Sequence, residues 1–329
     1  MSSLMNYLEI VVLLLLTVVL IKASDFVVIS LRQIVRQTHF GVFAISTVII
    51  AIGTSLPELF VSVTTAINNN PSLAFGVVLG SNIVNSAFIV GAVSLLAGKV
   101  LVHGEYVKRD VVIALIAGIT PFVLILDKTL GRIDGFILLL LYGAYVAHFL
   151  KTKKHLIEKH HEQKIFVVRF IREFEHINGE ITKDVMKLFL GLTVMLFSAD
   201  LIVKTAENLA LGIGMPVFLI GLILLAFGTS LPEVVFSFVS LKDHEPSMMF
   251  GNILGSTVCN ALFILGITSI IRPISIGAIS EYFAAVCTFV IVSLLLWLFI
   301  KSKHRLDRWE ASILIAVYLI FVVLEFYLR

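Results

Sequence analysis

The six residues Gly53-Thr54-Ser55-Leu56-Pro57-Glu58 return unchanged as Gly228-Thr229-Ser230-Leu231-Pro232-Glu233, 175 positions later. The match extends beyond the hexad. At the same offset Asp25 meets Asp200, Ala51 meets Ala226, Ser62 meets Ser237, Pro71-Ser72 meets Pro246-Ser247, Gly80-Ser81 meets Gly255-Ser256 and Asn85 meets Asn260. The register holds without a gap from Asp25 to Gly91 against Asp200 to Gly266. Further on, Arg132 and Asp134 resemble Arg308 and Glu310 at an offset of 176. A period this long is not that of a solenoid. It marks a duplicated half.

The medium in which the hexads sit follows from composition. Of 329 residues, 59% are hydrophobic and only 14% charged, with a mean hydropathy of +1.04. A soluble domain has roughly 45–50% apolar and about 25% charged residues. A soluble globule, a disordered chain and a disulfide scaffold are therefore excluded, and a polytopic membrane protein is expected. Charged residues and turn formers divide the chain into ten apolar segments, at approximately 6–31, 40–67, 72–97, 109–127, 133–150, 184–210, 215–241, 246–271, 280–300 and 308–327. Helices are the expected form, because lipid offers no partner to unpaired backbone groups. Pro71 and Pro246 each open a segment, where a missing N–H costs nothing. The run Ile10–Ile21 reads as the first span rather than a signal peptide, since no basic stretch precedes it and Glu9 does. Cys259 and Cys287 lie in apolar stretches and read as small buried hydrophobes. The net charge of +3 is too small to suggest nucleic acid.

The expected fold is thus an all-α polytopic membrane protein with ten transmembrane helices, arranged as two five-helix repeats. Residues 1–150 form the first repeat (motif 51–91), 151–183 a basic loop, and 184–329 the second repeat (motif 226–266). Five is odd, so the second half enters the membrane in the opposite sense. That is the inverted-repeat plan of secondary transporters, whose sites lie near the bilayer midplane. The loop 151–183 holds eight Lys and Arg residues, which makes it cytoplasmic. Ten spans then place both termini outside, and the count becomes 19 bases inside against 4 outside. His160 and His161 in this loop read as part of a solvated connector rather than a metal or lipid site.

Against so apolar a background, charge is informative. Between Arg36 and Lys99 lie 62 residues in which Glu58 is the only acid or base, His39 aside. No base lies between Lys204 and Lys242, where Glu233 is deep in its segment. An ionised group at mid-bilayer costs roughly 2.5–3.5 kcal/mol on insertion scales. Two such carboxylates without Lys or Arg partners must be protonated or neutralised by bound cations. Their neighbours favour cations. Thr54 and Ser55 precede Glu58 by four and three residues and share its helical face. Ser81 and Asn85 are four apart on the next span, and Thr229, Ser230, Ser256 and Asn260 mirror the set. Pro57 and Pro232 deprive the carbonyls of Gly53 and Gly228 of their helical donors, and freed carbonyls facing a cavity bind ions. Oxygen ligands without thiolate or imidazole suit Ca²⁺ and Na⁺ and argue against Zn²⁺ or Cu⁺. The glycines Gly76, Gly80, Gly251 and Gly255, spaced in fours, are expected to let spans pack closely.

At these residues the sequence resembles the cation/calcium exchanger superfamily, and within it the sodium/calcium exchangers of prokaryotic type. The resemblance rests on GTSLPE followed by GSNIVN (Gly80–Asn85), and on GTSLPE followed by GNILGSTVCN (Gly251–Asn260). It implies central ligand positions at Glu58, Asn85, Glu233 and Asn260. It implies supporting oxygens from Thr54, Ser55, Ser81, Thr229, Ser230 and Ser256, and carbonyls of Ala51 and Ala226. It also implies that spans one and six slide across the other eight. The first motif departs at Val77, where relatives commonly have Asn and where the second copy keeps Asn252. Many such exchangers carry Asp at the position of Asn260, so the fixed charge of this site is −2. One Ca²⁺ or two Na⁺ neutralise it.

The resemblance implies a Ca²⁺/Na⁺ antiporter of the cell (inner) membrane that works by alternating access. Ca²⁺, Na⁺ and lipid would be its partners, with no cofactor, no nucleic acid and no obligatory protein partner. A Ca²⁺/H⁺ antiporter of the same fold is the alternative, with protons as the counter-substrate. An intramembrane hydrolase built on the two Glu would need a nucleophile–base pair or a metal triad. No His sits in a motif span, and no HExxH or GxGD occurs. Asp25 and Asp200, each 33 residues before its Glu, read as ion-pathway or gate residues or, the favoured reading, as structural acids at a helix break or near an interface, with Lys22 and Lys204 near them.

Overall fold

The computed structural model describes residues 2–37, 53–101, 105–157, 181–242, 246–276, 280–303 and 305–327. Among these, helices α1 (Ser2–Gln37), α2 (Leu56–Ile67), α3 (Pro71–Ala97), α4 (Glu105–Leu124) and α5 (Arg132–Ile157) make up the first half. The second half holds α6 (Ile181–Ile213), α7 (217–229), α8 (Leu231–Lys242), α9 (246–271), α10 (Ser280–Lys303) and α11 (Arg308–Tyr327). Eight helices among the described residues are long and apolar enough to cross a membrane. α5 lies where the fifth span is expected, and α2 covers the end of the second. The remainder of that span, and the histidines of the central loop, lie outside the described residues.

Both proline-led starts are observed: α3 begins at Pro71 and α9 at Pro246. Three helices contain a π-helical turn that the sequence did not suggest. These are Val84–Ile89 in α3, Ile220–Leu225 in α7 and Cys259–Ile264 in α9. Such turns often mark functional sites. Asp25 and Asp200 do not lie at helix breaks, because α1 and α6 run through them unbroken. Asp200 instead pairs with Lys204 one turn on, at 2.7 Å, and accepts from Asn68 Nδ2 at 3.0 Å.

Two short antiparallel ribbons tie the halves together. β1 (Lys99–Leu101) pairs with β4 (Arg305–Asp307), and β2 (Thr129–Leu130) pairs with β3 (Ile274–Ser275). Each ribbon joins a segment of one half to a segment of the other. The repeat offset that maps β1 onto β3 also maps β2 onto β4, within one residue. The duplication therefore reaches into the loops.

The apolar interior falls into two clusters. The larger is built around α3 and α9, with α4, α10 and α11 packed outside them. The other is dominated by α1 and α6, through Leu13, Leu20, Ala23 and Val27 against Met195, Ala199, Ile202, Val203 and Ala206. α3 is the most enclosed helix, with 94% of its most apolar stretch buried, against 33% for α1 and for α6. Close backbone approach places it there. A Cβ at Gly76 would run into the carbonyl oxygen of Phe218, and one at Gly80 into that of Leu222. From the other side, a Cβ on Gly221 would stand 2.6 Å from the Leu73 carbonyl oxygen. In the second pair of glycines the expectation is not met at Gly251, which is exposed and meets nothing within 4 Å.

Candidate ion-binding site

Each hexad breaks its helix at the serine. Ser55 (φ −90°, ψ 6°) and Ser230 (φ −82°, ψ 5°) leave helical geometry, and the proline two residues on sits in the first turn of the next helix. The cause is local, since the Pro ring excludes the preceding turn and supplies no N–H. α2 and α8 therefore start at Leu56 and Leu231, with Glu58 and Glu233 in their first turns. There the positive end of a half-helix offsets part of the cost of burying a carboxylate.

The two hexads cross. Glu58 Oε1 accepts from Ser81 of its own half at 3.3 Å and from Ser230 of the other half at 3.5 Å. Ser81 Oγ also lies 3.4 Å from the Ala226 carbonyl oxygen and 3.5 Å from Thr229 Oγ1. Thr229 is itself within hydrogen-bond reach of Glu58. In the mirror cluster Glu233 Oε1 accepts from Ser256 at 3.1 Å, and Ser256 Oγ lies 3.3 Å from Thr54 Oγ1. Each carboxylate is thus lined by a serine of its own repeat and a hydroxyl of the opposite one.

Of the residues expected at the site, Ser55, Glu58, Ser81, Asn85, Thr229, Ser230, Glu233, Ser256, Asn260 and Ala226 are at most 1% exposed. Thr54 is half-buried, and Ala51 lies outside the described residues. Among the described residues neither glutamate forms an ion pair, and no three His, Cys, Asp or Glu cluster together. Several buried oxygens lack any hydrogen-bond partner: Glu58 Oε2, Glu233 Oε2, Ser55 Oγ, Asn85 Oδ1 and Asn260 Oδ1. A buried polar group left unpaired costs roughly 1–3 kcal/mol. Five such atoms on four helices fit a cation that needs oxygen ligands and no counter-ion beyond the two carboxylates. Cys259 is a free, buried thiol, as a small hydrophobe would be.

The structure adds residues that the motifs alone did not assign. Asn252 Oδ1 accepts from Thr54 Oγ1 at 3.3 Å, which gives the second half a ligand-side partner that Val77 denies the first. Asn82 accepts from Asn260 Nδ2 at 3.2 Å. Ser62 and Ser237, one turn beyond the glutamates, are wholly buried with unpartnered hydroxyls, and their match across the repeat was the available signal. The carbonyl of Gly53, expected to face a cavity, is instead taken by Ser24 of α1 at 3.1 Å.

The profile of the family described as sodium/calcium exchanger protein matches residues 8–151 and again 184–327. The chain belongs to the sodium/calcium exchanger family. It is 30% identical to the sodium/calcium exchanger MaX1 of Methanosarcina acetivorans, over 96% of this chain and 98% of that one. It is 26% identical to the inner membrane protein YrbG of Escherichia coli, over 84% of this chain and 85% of that one. Among solved structures, the sodium-calcium exchanger NCX_Mj soaked with Na⁺ and Sr²⁺ superposes with a TM-score of 0.61. Their sequences are 27% identical, and the match covers 96% of this chain and 98% of that one. This exchanger-family chain is therefore an integral membrane transporter of the two-repeat fold and not an enzyme, and cations are its substrates rather than its cofactors.

Proposed function

We propose that the chain is a secondary antiporter that exchanges Ca²⁺ for Na⁺ at Glu58, Asn85, Glu233 and Asn260. Thr54, Ser55, Ser81, Thr229, Ser230, Ser256 and the carbonyls of Ala51 and Ala226 are the supporting oxygens. One observation carries the reading. Two wholly buried carboxylates are tied to the opposite repeat through hydroxyls, each with an unpartnered oxygen and, among the described residues, neither with a cationic side chain. A buried charge is tolerated only when it is paired. Oxygen donors alone suit Ca²⁺, which takes 6–8 of them, and Na⁺. Relatives named as sodium/calcium exchangers, and a structural neighbour soaked with Na⁺ and Ca²⁺, support the same substrates.

In this reading residues 1–150 and 184–329 are inverted repeats and 151–183 is their cytoplasmic connection. Both termini lie outside, and the protein resides in the cell (inner) membrane. α1 and α6, which pack extensively on each other, move against the rest to expose the site on alternate sides.

The site's charge of −2 also admits proton exchange through the same glutamates, so coupling is the quantity to test. The measurement is Ca²⁺ flux in vesicles with Na⁺ and pH gradients imposed separately. Uptake driven by a Na⁺ gradient at constant pH is expected. Flux that ignores Na⁺ and follows the pH gradient would replace Na⁺ with H⁺ as the counter-substrate.

A further inference from the structure

We infer that Asn82 is a positioning residue that turns the Asn260 amide oxygen-first toward the bound cation. The two repeats then present unlike amide ligands, one preset and one free to rotate. This rests on the ion site proposed above.

The partners of each amide set its direction. A backbone carbonyl only accepts hydrogen bonds. The Thr257 carbonyl oxygen lies 3.5 Å from Asn82 Nδ2, which fixes that end of the Asn82 amide as the donor. Asn82 Oδ1 therefore faces the other way, toward Asn260. An oxygen without hydrogen has to be met by a donor, so Asn260 presents Nδ2 to it, at 3.2 Å. Asn260 Oδ1 is left on the opposite side of its amide, wholly buried and unpartnered. An amide oxygen coordinates a cation, whereas an amide NH₂ turns its positive end toward it. The Thr257 carbonyl thus dictates, through two amides, which end of Asn260 the ion meets.

The first repeat lacks this relay. Both Asn85 Oδ1 and Asn85 Nδ2 are buried without partners. The residue that matches Asn82 across the repeat is Thr257, whose hydroxyl is returned to the Ile253 carbonyl at 2.9 Å. Asn85 is the second residue of its π-helical turn, as Asn260 is of its own, so the backbones are alike and only the orienting neighbour differs.

The test is a double-mutant cycle read by Ca²⁺ titration calorimetry on the purified full-length protein and by the KM for Ca²⁺ in reconstituted vesicles. Asn82→Ala frees the Asn260 amide and is expected to weaken Ca²⁺ binding roughly five- to tenfold, the worth of about one hydrogen bond. Asn260→Asp puts an oxygen at both ends of the side chain, so orientation ceases to matter. Asn82→Ala is expected to add less than a twofold loss in that background. Equal losses in both backgrounds would make Asn82 a packing residue and overturn the inference. So would unchanged affinity in Asn82→Ala alone. If Asn82→Ala does not fold, Asn82→Thr, which imports the residue of the other repeat, carries the same expectations. Absence of Ca²⁺ binding by the wild-type protein would instead refute the ion site itself.

Discussion

A glutamate at zero exposure keeps its charge only if something positive sits on it. Glu58 and Glu233 have hydroxyl partners for one oxygen each and nothing for the other. Substitution by Gln preserves shape and the bonds from Ser81 and Ser256 but removes the charge. Removing one partner of a buried ion pair costs roughly 3–5 kcal/mol. Glu58→Gln or Glu233→Gln should therefore lower Ca²⁺ exchange by at least about a hundredfold, while gel-filtration profile and helix content stay those of the wild type. Wild-type flux in both variants would refute the site. These glutamates, and the hydroxyls around them, were legible in the sequence because charge is so rare in it. Asn82 and Asn252 were not. A polar side chain inside a motif carries no sign of where it points. Asn252 stood out against Val77 when the repeats were aligned, but that contrast gave no sign that it would accept from Thr54.

Helices α2 and α8 were readable from their prolines, which dictate a break whatever surrounds them. The π-helical turns were not: Ile220–Leu225 is an apolar run and Val84–Ile89 carries Asn85 and Ser86, and both look like ordinary α-helix. Beside the α7 turn, the α3 glycines lie close against the α7 backbone, Gly76 facing the Phe218 carbonyl and Gly80 that of Leu222. That contact yields a test. A methyl at Gly80 would have to displace the carbonyl of Leu222, a backbone group with nowhere to go. Gly80→Ala should separate α3 from α7 at a cost of 3 kcal/mol or more, at or beyond the upper end for overpacked cores. The expected result is loss of monodisperse protein in gel filtration. Gly143→Ala on α5, where nothing lies within 4 Å, is the control. It should be tolerated, with a melting temperature equal to or slightly above wild type, because Ala favours the helix by about 1 kcal/mol over Gly. Equal behaviour of the two variants would argue against the close approach.

At the scale of the molecule, the proposed motion sets α1 and α6 against a body stapled by the two ribbons. Two engineered disulfides distinguish them. A Cβ built at Gly228 lies 3.6 Å from the Cβ of Thr17, inside the range for a disulfide. Oxidised Thr17→Cys/Gly228→Cys should lock α1 to the core and stop Ca²⁺ flux, with recovery on reduction. Val100→Cys/Leu306→Cys, across the β1–β4 ribbon, joins parts of the same body and should leave flux within about twofold of its reduced value. Flux that survives the first cross-link would mean that α1 does not slide. The duplication that underlies this plan was legible from one hexad, but its imperfections were not, and they bear on how the machine rests. Were the halves identical, inverting the molecule would reproduce it, and the postures open to either side would be degenerate. Ser24 holds the Gly53 carbonyl, yet the residue that matches Ser24 is Ala199, which has no hydroxyl to give. In the proposed alternating-access cycle, that bond has no equivalent in the mirror-image posture. Such a cycle would be a weighted coin, favouring one side, with ions arriving from the two sides meeting thresholds of different height.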